Sequence, residues 1–568
     1  MIYTLFALAP ILLVIVMMLA LNRPAKESMP AGWALTMIVA IFVWKQDIHT
    51  ALSWAADGFL EAIGTMAVIA GAVAIMNVLK ATGAMATIER MFTSITPDRR
   101  LQAVIIGFVF GAFLEGAAGF GTPAAIAAPL LIGLGFPPIC AAIIALIFNS
   151  APVNFGAVGV PTTTLVAVTQ QAVEQAGVSV AAYTTAVTLW CAAINALEAF
   201  LVLFAGVFVL CRFFGGSRRL SDVLEVTPFL LLTGVSYAVF SLATAVLCGP
   251  EFPSLVGGIL TLVVTVVAAR RGFLVPKNVW EFEGERVKGE GEDEVKVKGE
   301  GEERNSTVHL HLTPSPLIAW LPYALVAGIL VLTRLNVGGV KTLLTSSGFT
   351  VSFGALLGTA GVNWKWNWGW CPGVMPFAFV CVLTLFLHRC PWRKAIEAAR
   401  QTGRQCLGAG LALFFGVSMV YLYRNTGMNA KVESSMLFVL AQSLADVFRT
   451  AYVGVAPLIG VLGAFMSGSN TVSNTLFSSL QYQTAVFVKL SPVLIVVLQN
   501  VGAAAGNMVC VNNVVAACAT TGTSGREGEI IRKNFPVCVI YCLIAVAIVG
   551  TALWLGADPL ALMEKTVQ

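Results

Sequence analysis

Apolar runs follow one another along almost the whole chain, near 2–21, 31–45, 57–79, 138–168, 183–211, 226–248, 252–270, 317–333, 371–388, 405–424, 493–517 and 535–556. The hydrocarbon core of a bilayer takes about 20 apolar residues in a helix, so each run predicts a membrane span. Backbone amides and carbonyls find no partner in hydrocarbon unless the helix itself supplies one. The expected fold class is therefore an all-α polytopic membrane protein with about twelve spans. Of the 568 residues, 58% are hydrophobic and 11% charged. A soluble domain carries roughly 25% charged residues, so this much apolar surface has no soluble core to hide in. The first run lacks the basic start and the small-residue cleavage site of a signal peptide and reads as a retained span.

Two further segments, 103–132 and 452–488, are apolar but interrupted. The stretch from Gly111 to Thr164 shows the pattern, GAFLEGAAGFGTPAAIAAPLLIGLGFPPICAAIIALIFNSAPVNFGAVGVPTTT. Glycines and a proline break it just after Glu115, and NSAPVNFGAVGVPTTT breaks it again. Backbone that leaves the helix at membrane depth is tolerated only where protein or a water-lined cavity satisfies it. Both segments are expected to be re-entrant hairpins, and their polar breaks are candidate binding sites.

Basic residues cluster after alternate spans: Arg23 and Lys26; Arg90, Arg99 and Arg100; Arg212, Arg218 and Arg219; Arg270, Arg271 and Lys277; Arg389, Arg393, Lys394, Arg400 and Arg404; Arg526, Arg532 and Lys533. All fall on one side if both termini lie outside and both hairpins return to their side of origin. The positive-inside rule makes that side cytoplasmic. The patch 344–360 then stays outside as a loop or surface helix, and Trp364, Trp366, Trp368 and Trp370 sit at the outer interface. Residues 277–312, which include GERVKGEGEDEVKVKGEGEER, are charged and poor in large apolar groups. They are expected to form a disordered cytoplasmic linker. The chain thus divides into an N-terminal membrane half, 1–270, a linker, 271–316, and a C-terminal membrane half, 317–568.

The two halves share an order of elements. Thr82-Gly83 ends a span and Ile88-Glu89 follows; Thr426-Gly427 ends another and Val432-Glu433 follows. GAFLEG at 111–116 recurs as GAFMSG at 463–468. Each interrupted segment precedes a broken apolar span, 138–168 in the first half and 493–517 in the second. In the threading above the first hairpin enters from the cytoplasm and the second from outside. The halves are therefore expected to be inverted repeats, an arrangement typical of secondary transporters whose broken helices meet at the midplane.

The second hairpin carries SGSNTVSNT, with Ser469, Asn470, Thr471, Ser473, Asn474 and Thr475. At the start of a half-helix, unpaired N–H groups and the positive dipole end suit an anion such as a carboxylate. Asn154, Thr162 and Asn507 in the broken spans, with Gly119 and Gly121 in the first hairpin, complete the candidate binding set. About half of the amides at such breaks would only satisfy opened backbone. Glu115, a lone carboxylate in the first hairpin, is the candidate proton carrier. Glu198, one turn after Asn195 in a plain span, reads as structural. No Arg or Lys falls in the interior of a predicted span, only at span ends, which favours a monoanion over a dianion.

Several classes are excluded. GAAGFG at 116–121 lacks the trailing Gly-Lys-Ser/Thr of a phosphate loop. No H-E-x-x-H or G-x-S-x-G motif sits in a span, so no enzyme activity and no cofactor are expected. The 12 cysteines form no C-x-x-C pair, and neither a metal site nor a disulfide framework is expected. The net charge of +5 comes without a basic tract interleaved with aromatics, so nucleic acid is not an expected partner.

FLEGAAGFGTPAAIAAPLL, NSAPVNFGAVGVPTT, SGSNTVSNTLFSSLQ and QNVGAAAGNMVCVNNVVAACATTGTSGREG resemble the bacterial L-lactate permease family. The resemblance covers most of the chain apart from 272–315. It implies import of lactate, and with it glycolate, together with protons across a bacterial inner membrane. It also implies two inverted repeats, each with a hairpin and a broken helix. The charged insertion departs from the family pattern, and the Ser-Asn-Thr signature falls only on the second hairpin. A sodium-coupled di- or monocarboxylate carrier of the same architecture is the alternative. A passive carboxylate channel is a second, and a membrane-embedded enzyme a third, the last lacking a nucleophile–base pair.

Overall fold

The computed structural model describes residues 2–19, 21, 23–91, 95–119, 122–215, 219–282, 314–334, 339–371, 373–523, 526–557 and 559–560. Almost all of its regular structure is helix. Seven helices are long and apolar enough to cross a membrane: Ile48–Ala81, Arg99–Ala117, Val180–Phe214, Leu220–Cys248, Trp392–Asn425, Met436–Phe465 and Glu527–Trp554. An eighth span is obtained if Pro138–Asn149 and Val153–Gln175, bent by 63° at their junction, count as one. Five shorter apolar helices accompany them, Ile2–Met17, Leu255–Arg270, Pro316–Val326, Val374–Leu387 and Pro492–Asn507. Prolines and breaks shorten these segments, so the expected total of about twelve needs them as well as the long helices.

Helices in a membrane gain little from burying apolar surface against each other and associate through close packing at small residues. That is how the core is built. Ile48–Ala81 packs along Trp392–Asn425, and at Gly58 the two backbones approach so closely that a Cβ would lie 2.5 Å from Ser418 Cα. Tyr452–Ser467 packs along Pro492–Asn507, and a Cβ on Gly502 would lie 2.1 Å from the Pro457 carbonyl oxygen. The opposite faces are apolar and open. On Leu220–Cys248, Leu224, Leu231, Val235, Val239 and Val246 recur at helical spacing and are all exposed, as a lipid-facing stripe requires.

Three expectations need correction. Residues 344–360 are neither a plain loop nor a surface helix. Thr350–Phe353 pairs antiparallel with Trp364–Asn367, with Val351 opposite Trp366 and Phe353 opposite Trp364. Alternating β-branched and aromatic residues favour such a ladder, so the chain is mostly rather than wholly helical. Arg100 is not a solvated loop charge. It is fully buried, with Nη2 2.7 Å from Asp98 Oδ2 and Nη1 3.3 Å from Glu225 Oε2. Finally, the linker does not begin at 277. Trp280 and Phe282 are buried, and the Trp280 amide donates to Asp98 Oδ2 at 3.1 Å. Residues 283–313 lie outside the described residues.

Candidate functional site

Both interrupted segments break where glycine takes up a left-handed backbone. In the first, helix Gly111–Ala118 ends at Gly119, φ +62°, and helix Thr122–Gly133 follows. Gly121 lies outside the described residues. In the second, Tyr452–Ser467 ends at Gly468, φ +74°. Ser469 then caps Asn470–Phe487, its hydroxyl accepting from the Val472 amide at 3.4 Å. The amides of the first turn have no carbonyl one turn earlier to bond, so this 18-residue helix points free N–H groups and the positive end of its dipole at the break.

The apolar spans that follow are broken as well. Pro138–Asn149 gives way to a short turn, Val153–Phe155, before Gly156–Gln175. Within the latter, Ala157, Val158 and Gly159 take left-handed angles, φ 42°, 58° and 74°. For a β-branched residue such as Val158 this costs on the order of 1–3 kcal/mol, and it persists only where the surroundings hold it. Pro492–Asn507 likewise stops, and Val511–Thr521 resumes after 508–510.

The four breaks converge. Glu115, Gly119, Ser469, Asn470, Thr471 and Asn507 line one narrow cavity with Val153, Gly156, Ala157, Pro161 and Gly468. Its free volume is about 20 Å³, room for about one water. Glu115 is the only ionisable side chain among the described residues lining it. Glu115 is 3% exposed, and its carboxyl rests against Gly156, where a Cβ would clash with Oε1. Glu115 Oε2 and Asn470 Oδ1 have no hydrogen-bond partner. Pro161, Val153 and Ala157 escaped the sequence reading, because small apolar residues beside a break carry no signal of their own, whereas Gly156 stood out as a point where the backbone could open.

The remaining predicted residues stand behind the cavity in a buried amide network joining the halves. Asn470 Nδ2 donates to Asn154 Oδ1 at 2.9 Å, and Asn154 Nδ2 to Asn195 Oδ1 at 2.7 Å. Asn474 Nδ2 donates to Asn500 Oδ1 at 2.8 Å and to the Pro161 carbonyl at 3.0 Å. Asn500 Nδ2 reaches Thr162 Oγ1 at 3.0 Å, and Thr162 Oγ1 donates to the Asn154 carbonyl at 2.7 Å. Ser473 and Thr475 donate to the carbonyls of Gly460 and Thr471. Glu198 is fully buried beyond Asn195, and neither carboxyl oxygen has a hydrogen-bond partner.

A family model described as L-lactate permease matches residues 3–555. The chain belongs to the L-lactate permease family. Three curated relatives illustrate the similarity. A putative L-lactate permease of Haemophilus influenzae is 28% identical, covering 94% of this chain and 96% of its own. The L-lactate permease of Bacillus subtilis is 29% identical, covering 93% and 92%. The glycolate permease GlcA of Escherichia coli is 28% identical, covering 96% and 94%. A solved structure of Neisseria gonorrhoeae MtrF matches with a TM-score of 0.41 at 12% identity, over 88% of this chain and 83% of that one; at that level nothing is carried across. The family's members named above are permeases, and the apolar helices of this chain agree with a multi-pass membrane protein.

Proposed function

We propose that the chain imports L-lactate, and with it glycolate and related 2-hydroxymonocarboxylates, together with protons across a bacterial inner membrane. One observation supports this most: a single cavity holds Glu115, one of whose carboxyl oxygens has no partner, together with the N-terminal start of Asn470–Phe487. The amides and dipole of that helix would hold the substrate carboxylate, with Ser469, Asn470 and Thr471 around it. The unpartnered Asn470 Oδ1 would accept from the 2-hydroxyl. Glu115 would carry the proton. Asn154, Thr162, Ser473, Asn474, Thr475 and Asn507 would keep the site in shape, with Gly119 and Gly121 allowing the backbone to approach. No Arg or Lys is among the described lining residues, which suits one monoanion rather than a dianion. Relatives named for lactate and for glycolate agree with this substrate class.

The cavity's volume of about 20 Å³ does not admit a six-heavy-atom hydroxy acid. Loading requires the hairpins to part. In our reading the halves 1–270 and 317–568 are inverted repeats of about twelve spans in all, joined by a segment whose first part, through Phe282, packs against the membrane half before the charged stretch begins. The hairpin-bearing parts move against the other spans to give alternating access. The test is uptake of labelled L-lactate into proteoliposomes under imposed ion gradients. A pH gradient, acid outside, should drive accumulation, and a sodium gradient alone should not. Accumulation that follows sodium and ignores pH would favour the sodium-coupled reading, and equilibration without accumulation a channel.

A further inference from the structure

A second cavity, of about 370 Å³, lies at the opposite end of Gly156–Gln175 from the site. Pro161 lines the first cavity and Gln171 the second, and their separation of ten residues corresponds to about 15 Å of helix. In the threading proposed above, this vestibule opens on the outer face. Four elements supply its charged walls. Asp57 and Glu61 come from adjacent turns of Ile48–Ala81, Glu174 from the end of Gly156–Gln175, Lys365 from the strand Trp364–Asn367, and Arg424 from the end of Trp392–Asn425.

Asp57 is 5% exposed and makes no ion pair or hydrogen bond through its side chain among the described residues. A carboxylate so placed is costly unless something shares its charge. Arg424 is nearby and acts on both Asp57 and Glu61 through space. It pairs with neither. Its guanidinium lies 4.5 Å from the Tyr421 ring centre, and Nη1 donates to the Val168 carbonyl at 3.0 Å. Its buried Nε–H has no partner. The vestibule therefore has a cation with a free donor beside carboxylates that leave it unpaired. When all are ionised, three carboxylates face two cations, and the vestibule repels an anion. One proton on the Asp57–Glu61 pair makes it neutral, and two make it positive.

We propose that this vestibule is an outer capture site for the substrate carboxylate, held by Arg424 and Lys365, and that it accepts the anion only when Asp57 and Glu61 carry protons. The inference rests on the transport reading above and adds a second point at which proton and anion are coupled. Capture precedes the inner site, so it governs the apparent affinity from outside, whereas Glu115 governs accumulation.

Counterflow of labelled L-lactate in proteoliposomes, with no net proton gradient, tests this. The wild-type KM for external lactate should rise about tenfold from the acid to the alkaline end of the assayed pH range, the effect of one uncompensated charge at close range. In Asp57→Asn/Glu61→Gln, KM should stay low and flat over that range, while pH-driven accumulation persists. Arg424→Gln should raise KM about tenfold at the acid end, and Arg424→Lys should recover part of the loss. A double variant that keeps the wild-type pH profile overturns the proposal. So does an Arg424→Gln protein that melts like wild type and has unchanged KM. If Arg424→Gln does not fold, the double variant decides alone, because Asp57 has no hydrogen bond to lose. Wild-type protein that exchanges no lactate at all would instead sink the transport reading on which this one stands.

Discussion

The two interrupted segments contain nearly the same hexapeptide, GAFLEG at 111–116 and GAFMSG at 463–468, and yet they do not break at the same point. The second helix stops at Ser467, the residue matching Glu115. The first continues three residues further, to Ala118. Gly116, matching the helix-ending Gly468, stays helical and packs so tightly that a Cβ would lie 2.3 Å from the Leu255 amide nitrogen. Glu115 is thereby held one turn inside a helix, its carboxyl against Gly156, while the Ser467 hydroxyl bonds to the carbonyls of Gly463 and Ser469. The comparison teaches that the shared motif sets up the close packing of a hairpin. The chemistry comes from the residues around the break: a carboxyl with an unused oxygen on one side, and a Ser-capped helix start with free amides on the other.

Substitutions can break or sharpen this contrast. The largest effect should come from Glu115→Gln, which should abolish accumulation of lactate above the equilibrium level. Asn470→Ala removes the bonds to Asn154 and to the Asn500 carbonyl along with the cavity's free acceptor. Its KM for lactate should rise about thirtyfold, equivalent to about 2 kcal/mol. Gly502→Ala tests the packing alone. The new methyl would meet the Pro457 carbonyl, and overpacking of this kind costs about 1–3 kcal/mol, read as a lower melting temperature in detergent. A double-mutant cycle of Asn154→Ala and Asn470→Ala should show coupling of about 1 kcal/mol across the two halves. Additive effects would mean that the halves meet here without cooperating. Thr162→Val should lower stability by about 1 kcal/mol for each of two lost bonds, that to the Asn154 carbonyl and that from Asn500 Nδ2.

Most of the helices were legible in the sequence because a span is a property of composition over a window. What hydropathy missed was amphipathic. Trp392–Asn425 begins well before the apolar run at 405, since its first turns carry Arg393, Lys394, Arg400 and Arg404. Arg100 looked like one more loop charge, and only the fold brings Asp98, Glu225 and the Asn278 carbonyl around it. The polar break at 469–475 stood out because Ser, Asn and Thr are rare in so apolar a run. Its internal division did not. Ser469, Asn470 and Thr471 line the cavity, whereas Ser473 and Thr475 bond to backbone carbonyls and Asn474 to the network behind. Residue type cannot tell a side chain that faces a cavity from one that satisfies its own helix, since both uses need the same donors. Asp57 and Arg424 escaped for a similar reason: each lies near the end of a span, where charges are ordinarily solvated.

The division of labour between the hairpins is tested most directly by two assays on one protein. Purified Glu115→Gln in proteoliposomes should exchange labelled L-lactate across the membrane at a rate close to wild type, because the Ser469-capped helix start proposed to hold the carboxylate is intact. The same vesicles should fail to accumulate lactate under an imposed pH gradient. Accumulation at the wild-type level would contradict the role given to Glu115, and loss of exchange together with accumulation would place Glu115 in substrate binding instead.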